Sequence, residues 1–315
     1  MQVRTIYLPL SLRQAGGAGR VRDMYPFIQI GSFQLGTFGL FLWLAAVLAG
    51  VVLHKSFQRD GVDADALNVV CLVVLAGVLG AKTWHELQDP ALLRETMQRI
   101  FAPGMSHIGQ VLLGLGEWMR SGIAWFGGLL AGIAMLLYQG NAARPNGLTG
   151  FRAGVRMLDL SAAAAPVGYG IGRIGCLMSG DGDYGRITTS KFWGVHMAAN
   201  ALVPVHPADA LVLNTPLWEL IAALVIAWAI WQLGAKARPL GFLTAVYLVL
   251  SGLARFTVEF WRINPKLYLG GHFSNAQMAA LGTVLAGGVI LLLVRSRQPV
   301  GGPAAMPVRL EEETA

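Results

Sequence analysis

Long apolar runs separated by short polar segments dominate the chain from Leu35 to Val294. A helix needs about 20 predominantly apolar residues to cross a hydrocarbon layer about 30 Å thick. Seven runs approach that length: Leu35–Leu53, Ala66–Trp84, Ser121–Tyr138, Leu160–Met178, Leu217–Leu233, Leu240–Phe260 and Asn275–Val294. The first, second, third, fifth and seventh read as almost uniformly Leu, Val, Ala, Ile and Gly. The fourth and sixth do not, because Arg173, Arg255 and Glu259 fall inside them. The pattern predicts an all-α, polytopic membrane protein of about seven transmembrane helices in a single domain, with no internal repeat.

The flanks of this domain, residues 24–297, read differently. Residues 1–23 carry Arg4, Arg13, Arg20 and Arg22 and lack an apolar core long enough for a signal peptide. They read either as a short extramembrane arm or, preferred here, as sequence upstream of a start at Met24, which leads directly into the first run. Residues 298–315 are rich in Pro, Gly and Glu and are expected to form a disordered cytoplasmic tail.

Composition agrees with the pattern. Of 315 residues, 55% are hydrophobic and 13% charged, where soluble domains carry about 25% charged. The net charge of +7 would point to nucleic acid in a soluble protein. Here the basic residues sit at loops and helix ends, where they fix topology, and no basic aromatic module accompanies them. With the N-terminus outside, the inner loops hold ten Lys and Arg and the outer segments eleven, a balance that decides nothing; counted from a start at Met24, the outer segments hold seven. The excess puts the C-terminus inside. Cys71 and Cys176 both lie in apolar segments and form neither a disulfide framework nor a Cys-x-x-Cys metal site.

Chemistry concentrates around the fourth and sixth runs. An arginine at membrane depth costs several kcal/mol unless it is paired or faces water. Arg173 lies in Gly170-Ile171-Gly172-Arg173-Ile174-Gly175-Cys176, near enough to the end of its run to snorkel or to line a site. Arg255 and Glu259 share a helix face at i, i+4, either as a self-contained ion pair or with Glu259 orienting a guanidinium that grips two anionic oxygens. Ser179-Gly180-Asp181-Gly182-Asp183-Tyr184-Gly185-Arg186 follows the fourth run as a tight turn. It is a plain surface turn or an acidic group beside Arg173 and Arg186. Asp-x-Asp alone offers a divalent ion too few ligands. Lys82 and His85 read as snorkelling, Thr215-Pro216 as a helix start, and Trp125-Phe126-Gly127-Gly128 as aromatics beside glycines that let helices approach. Taken alone, these residues suit an enzyme or carrier for a lipid or another anionic molecule.

Gly172-Arg173-Ile174-Gly175-Cys176-Leu177-Met178-Ser179-Gly180-Asp181, with Tyr184-Gly185-Arg186 close behind, resembles the signature of the prolipoprotein diacylglyceryl transferase family. That signature is Gly-Arg-x-Gly-Asn-Phe-x-Asn-Gly-Glu followed by an aromatic, Gly and Arg. Leu158-Asp159, Trp193-Gly194, His206-Pro207, Thr215-Pro216-Leu217-Trp218-Glu219 and Arg255-Phe256-x-x-Glu259-Phe260-x-Arg262 resemble further family elements in the same order. The resemblance implies a seven-helix enzyme of the bacterial inner (plasma) membrane, N-terminus periplasmic and C-terminus cytoplasmic. It would move the diacylglyceryl group of phosphatidylglycerol to the lipobox cysteine of prolipoprotein signal peptides and release glycerol phosphate. It implies Arg173, Arg255, Glu259 and Asp181 as catalytic residues and Gly172, Ser179, Asp183, Arg186 and Arg262 as substrate-binding residues, with no metal, no cofactor and no nucleic acid.

The departures are specific. The signature asparagines are Cys176 and Ser179 here, and the glutamate is Asp181 with one extra residue before the aromatic. The family's arginine near the end of the second run is Lys82. The family's Ser-Phe-His-Gly-Gly reads Ala124-Trp125-Phe126-Gly127-Gly128, so Phe126 replaces the histidine that would accept a proton. Asp181, Asp183 and Glu259 are the replacements at hand. A homologue with another acceptor, and an inert lipid-binding or carrier protein, are the alternatives.

Overall fold

The computed structural model describes residues 27–30, 33–88, 90–100, 125–197, 201–207 and 210–300. The N-terminal extension, the first four residues of the expected third run and the tail beyond 300 lie outside them.

The described helices are α1 (Thr37–Asp60), α2 (Ala66–Gln88), α3 (Pro90–Ile100), α4 (Trp125–Ala143), α5 (Gly150–Ser161), α6 (Ala164–Ser179), α7 (Thr215–Leu233), α8 (Phe242–Val258) and α9 (Asn275–Val294). Among the described residues, five helical segments are long and apolar enough to cross a membrane: α1, Ala66–Leu87 of α2, α7, Phe242–Trp261, which adds a 3-10 turn to α8, and α9. The protein is thus a multi-pass, mostly helical membrane protein. Only a fifth to a third of the residues in the most apolar stretch of each segment are buried inside the protein, as expected where lipid solvates the rest.

The expected fourth run, Leu160–Met178, is not one unbroken helix. It falls across the end of α5 and most of α6, with a break at Ala162–Ala163. Pro166 explains the break: it lacks the N–H that would bond the Ala162 carbonyl, and it is tolerated only in the first turn of a new helix. The 16 residues of α6 reach about 24 Å at the α-helical rise. Asp159 therefore precedes the interruption. It lies at the end of α5 and caps α8: Gly241 N and Thr244 N donate to its carboxylate at 2.7 and 2.9 Å, and Thr244 Oγ1 at 2.7 Å.

Packing follows the order α4, α2, α1, α6, α7, α8, α9, while α5 touches α4, α1, α6 and α8. Close backbone approach sets the tightest contacts. A Cβ on Gly127 of α4 would lie 2.2 Å from Gly80 O and 2.3 Å from Trp84 Cβ of α2, so glycine is required there. At the far end of the row, a Cβ on Gly252 of α8 would meet Thr283 Oγ1 of α9 at 2.5 Å. The aromatic-glycine motif is thus a packing device at Gly127 and Gly128; the Phe126 side chain lies outside the described part.

One end of the bundle is closed by polar staples. Arg156 Nη2 pairs with Asp60 Oδ1 at 2.5 Å, and Arg156 Nε donates to Asn146 Oδ1 at 2.9 Å. Arg59 donates to Trp231 O at 3.0 Å. At this end β5 (Arg238–Pro239) pairs with β8 (Pro299–Val300), so the first residues of the expected tail are ordered. The other end carries β3 (Gly194–His196) paired with β4 (Leu211–Leu213), and β6 (Lys266–Tyr268) paired with β7 (Phe273–Ser274). A hairpin of β1 (Phe27–Ile30) and β2 (Phe33–Gly36) precedes α1. Lys82 does not snorkel: it is 3% exposed, as is Glu86 one turn on.

Candidate active site

Three helices bring charge to the end opposite the staples. α6 supplies Arg173 one and a half turns before its end, α7 supplies Glu219 in its second turn, and α8 supplies Arg255 in its last. The 3-10 turn Glu259–Trp261 continues α8 and delivers Glu259, with Arg262 just beyond. Local sequence places each of them. Gly180, at φ +62°, ends α6 in the left-handed region that glycine adopts without strain. Asn214 accepts from Leu217 N at 3.2 Å and starts α7 with Pro216 in its first turn. Ser274 caps α9 in a reciprocal box with Gln277.

Glu219 is the hub. Its side chain is 3% exposed and it lies on a helix read from sequence as uniformly apolar, which the structure corrects. Arg173 Nε pairs with it at 2.9 Å, Arg255 Nη1 at 2.5 Å and Arg262 Nη1 at 3.4 Å. The Tyr169 hydroxyl donates to it at 2.8 Å and accepts from Arg173 Nε and Nη2 at 3.1 and 3.0 Å. Sequence reasoning missed both Glu219 and Tyr169. For Glu219, the available signal was one acid inside an apolar run, which is costly at membrane depth unless paired.

The other predicted residues divide. Arg255 reaches Glu259 as expected from their spacing, at 3.2 Å, but Glu259 is shared: Arg262 Nε lies 3.5 Å away, and Ser274 Oγ and Asn264 Nδ2 donate to it at 2.8 and 2.6 Å. The self-contained pair is thus replaced by a network. Asp183 accepts from Arg173 through one oxygen and from Arg262 through the other. Arg173 is one of six paired charged groups here, not a snorkelling anchor. Burial raises the Asp183 carboxyl, but the Arg173 and Arg262 guanidiniums outweigh it and hold it below the usual carboxylate range. Burial pushes the neighbouring Asp181 carboxyl up.

Three predicted substrate-binding residues fall outside the network. Ser179 is 1% exposed and its hydroxyl donates to Cys176 O at 3.2 Å, closing the helix end. Arg186 is exposed, and its backbone rather than its guanidinium is used, N–H to Trp261 O at 2.9 Å. Gly172 makes no close helix contact: a Cβ there would meet nothing within 4 Å. Those contacts belong to Gly170, against Ala223 and Leu220, and to Gly175, against Phe41.

Cys176 Sγ and carboxylate oxygens of Asp181 and Asp183 lie within 4.8 Å of one another. The set has the ligand types of a metal site, but Arg173 Nη1 is 3.6 Å from the sulfur and two guanidiniums grip Asp183. A cation there would face like charge, so the arrangement suits proton transfer better than metal binding. Arg173, Arg255 and Arg262 are balanced by Asp183, Glu219 and Glu259. Such a cluster presents fixed positive charge to an anion while staying neutral as a whole.

The family model for prolipoprotein diacylglyceryl transferase matches residues 26–293. A phosphatidylglycerol–prolipoprotein diacylglyceryl transferase of Bordetella avium is 33% identical, over 86% of this chain and 96% of that protein. One of Geobacter sulfurreducens is 29% identical, over 87% and 96%, and one of Cutibacterium acnes 27%, over 90% of each. With the match running from the first hairpin through the last helix and across every charged residue of the network, the chain belongs to the prolipoprotein diacylglyceryl transferase family.

Proposed function

We propose that this protein transfers the diacylglyceryl group of phosphatidylglycerol to the lipobox cysteine thiol of prolipoproteins. The observation that carries the reading is the convergence of Arg173, Arg255 and Arg262 on Glu219 at one end of the bundle, in a chain of this family. In the reaction the thiol sulfur attacks the glyceryl carbon. The carbon–oxygen bond to phosphate breaks, and glycerol phosphate leaves with the bonding pair. The arginines offset charge that grows on the leaving phosphate, and removing one such donor typically costs about 10²–10³ in rate. Arg255, with 26% of its side chain exposed, presents the most open guanidinium.

Asp181 is the proton acceptor in this reading. It sits beside the Cys176 thiol, and burial raises its affinity for a proton. Glu259, enclosed by two arginines, Ser274 and Asn264, positions Arg255. The network end faces the periplasm, and the stapled end, with the C-terminus, faces the cytoplasm of a bacterial inner membrane. The excess of Lys and Arg in the loops of the stapled end supports that orientation.

Phe126 in the place of a histidine supports a second reading, a homologue that uses phosphatidylglycerol with another acceptor. Incubating the purified protein with headgroup-labelled phosphatidylglycerol, with and without a lipobox peptide, separates the two. Peptide-dependent release of glycerol phosphate is expected. Release that ignores the peptide favours another acceptor, and binding without release means an inert lipid carrier.

A further inference from the structure

Asp183 differs from the other two carboxylates of the network. Glu219 and Glu259 have side chains 3% and 1% exposed and are tied to uncharged groups as well, Tyr169 for one and Ser274 and Asn264 for the other. The Asp183 side chain is 29% exposed, and its carboxylate partners among the described residues are Arg173 and Arg262. Each guanidinium takes a different oxygen. That is how two arginines from separate elements hold two oxygens of one phosphate.

Asp183 is also the one of the three acids that no helical element carries. It lies in the turn between Gly180 and Gly185, beside Gly182 at φ +92°. The turn is held by Asp183 N–H to Asp181 Oδ1 at 3.2 Å and by Thr215 Oγ1 to Asp183 O at 2.8 Å. Charge balance points the same way. A phosphate added beside all three carboxylates would leave the three arginines outnumbered, whereas a phosphate that replaces Asp183 keeps the balance.

We infer that Asp183 holds the position of the lipid phosphate between Arg173 and Arg262, and that the phosphate diester enters by displacing this carboxylate. The inference rests on the proposed function, because it takes the network to be a phosphatidylglycerol site. Asp183 is then an internal competitor that neutralises the pocket until lipid arrives, and its turn is the element that yields.

The test is binding of labelled phosphatidylglycerol, and separately of soluble glycerol phosphate, to the purified full chain in detergent. A group that must be displaced weakens apparent affinity by the fraction of time the pocket is open. Asp183→Asn is therefore expected to bind the lipid about tenfold more tightly than wild type, taking the pocket to be open about a tenth of the time. Thr215→Val, which keeps every charge and loosens only the turn, should gain about threefold on the same footing. A gain for glycerol phosphate as well assigns the effect to the phosphate; a gain for the lipid alone places the displacement elsewhere on the lipid and overturns the assignment. Unchanged or weaker lipid binding by a folded Asp183→Asn overturns the inference. If that variant does not fold, unchanged affinity of Thr215→Val does the same. Failure of the site reading looks different: wild type and Arg173→Gln would then bind the lipid equally.

Discussion

Glu219 accepts from the guanidiniums of Arg173, Arg255 and Arg262 and from the Tyr169 hydroxyl, as the one charged residue of a largely apolar helix. Removing one partner of a buried ion pair leaves an uncompensated charge and costs about 3–5 kcal/mol. Glu219→Gln is expected to melt well below wild type and to lose turnover, whereas Arg255→Gln, at the more exposed edge, should weaken lipid binding with a smaller loss of stability. Thermal unfolding of the two variants in one detergent checks this, and equal melting temperatures would count against the hub. Arg173→Lys keeps the charge but not the fork that reaches Tyr169 and Glu219 on one side and Asp183 on the other. It should lose about 10²–10³ in turnover at matched membrane levels, where a snorkelling anchor would tolerate lysine. The arginines were legible in the sequence because a charge inside an apolar run demands an explanation. Glu219 carried the same signal, but its partners, Tyr169 among them, lie 36 to 50 positions away on other helices, and linear spacing carries no sign of that.

Among the elements, α4 and α2 depend on glycine where they cross. Gly127→Ala would press a methyl into Gly80 O, and overpacking of this kind costs about 1–3 kcal/mol. Gly172→Ala meets nothing within 4 Å and should melt with wild type. A melting temperature for Gly127→Ala equal to that of Gly172→Ala would contradict the packing account. The break between α5 and α6 was hidden from a reading by hydropathy, since Ala162–Ala165 are apolar and helix-compatible, and Pro166 is tolerated in a first turn. Asp159, committed to the first turn of α8, holds the end of α5 there. Trp193, Trp218 and Trp261 meet edge to face, with ring centroids 5.7 and 5.8 Å apart, on the network end.

For the whole molecule, hydropathy made the membrane class plain, but not which end carries the chemistry, because the staples and the network both use arginine and carboxylate. The structure joins Leu148 and Val300 to the stapled end, through the Asn146–Arg156–Asp60 contacts and the β5–β8 pair, and Leu269 to the network end. Single cysteines at 148 and 300 should label from the cytoplasm and one at 269 from the periplasm; labelling of 148 and 269 from the same side would contradict the topology. The most direct test of the central claim is the mass of a synthetic lipobox peptide after incubation with the purified protein and phosphatidylglycerol of defined chains. The account predicts a gain of one diacylglyceryl group on the cysteine, absent with Arg173→Gln. An unmodified peptide, with wild-type protein that is folded and binds the lipid, would contradict it.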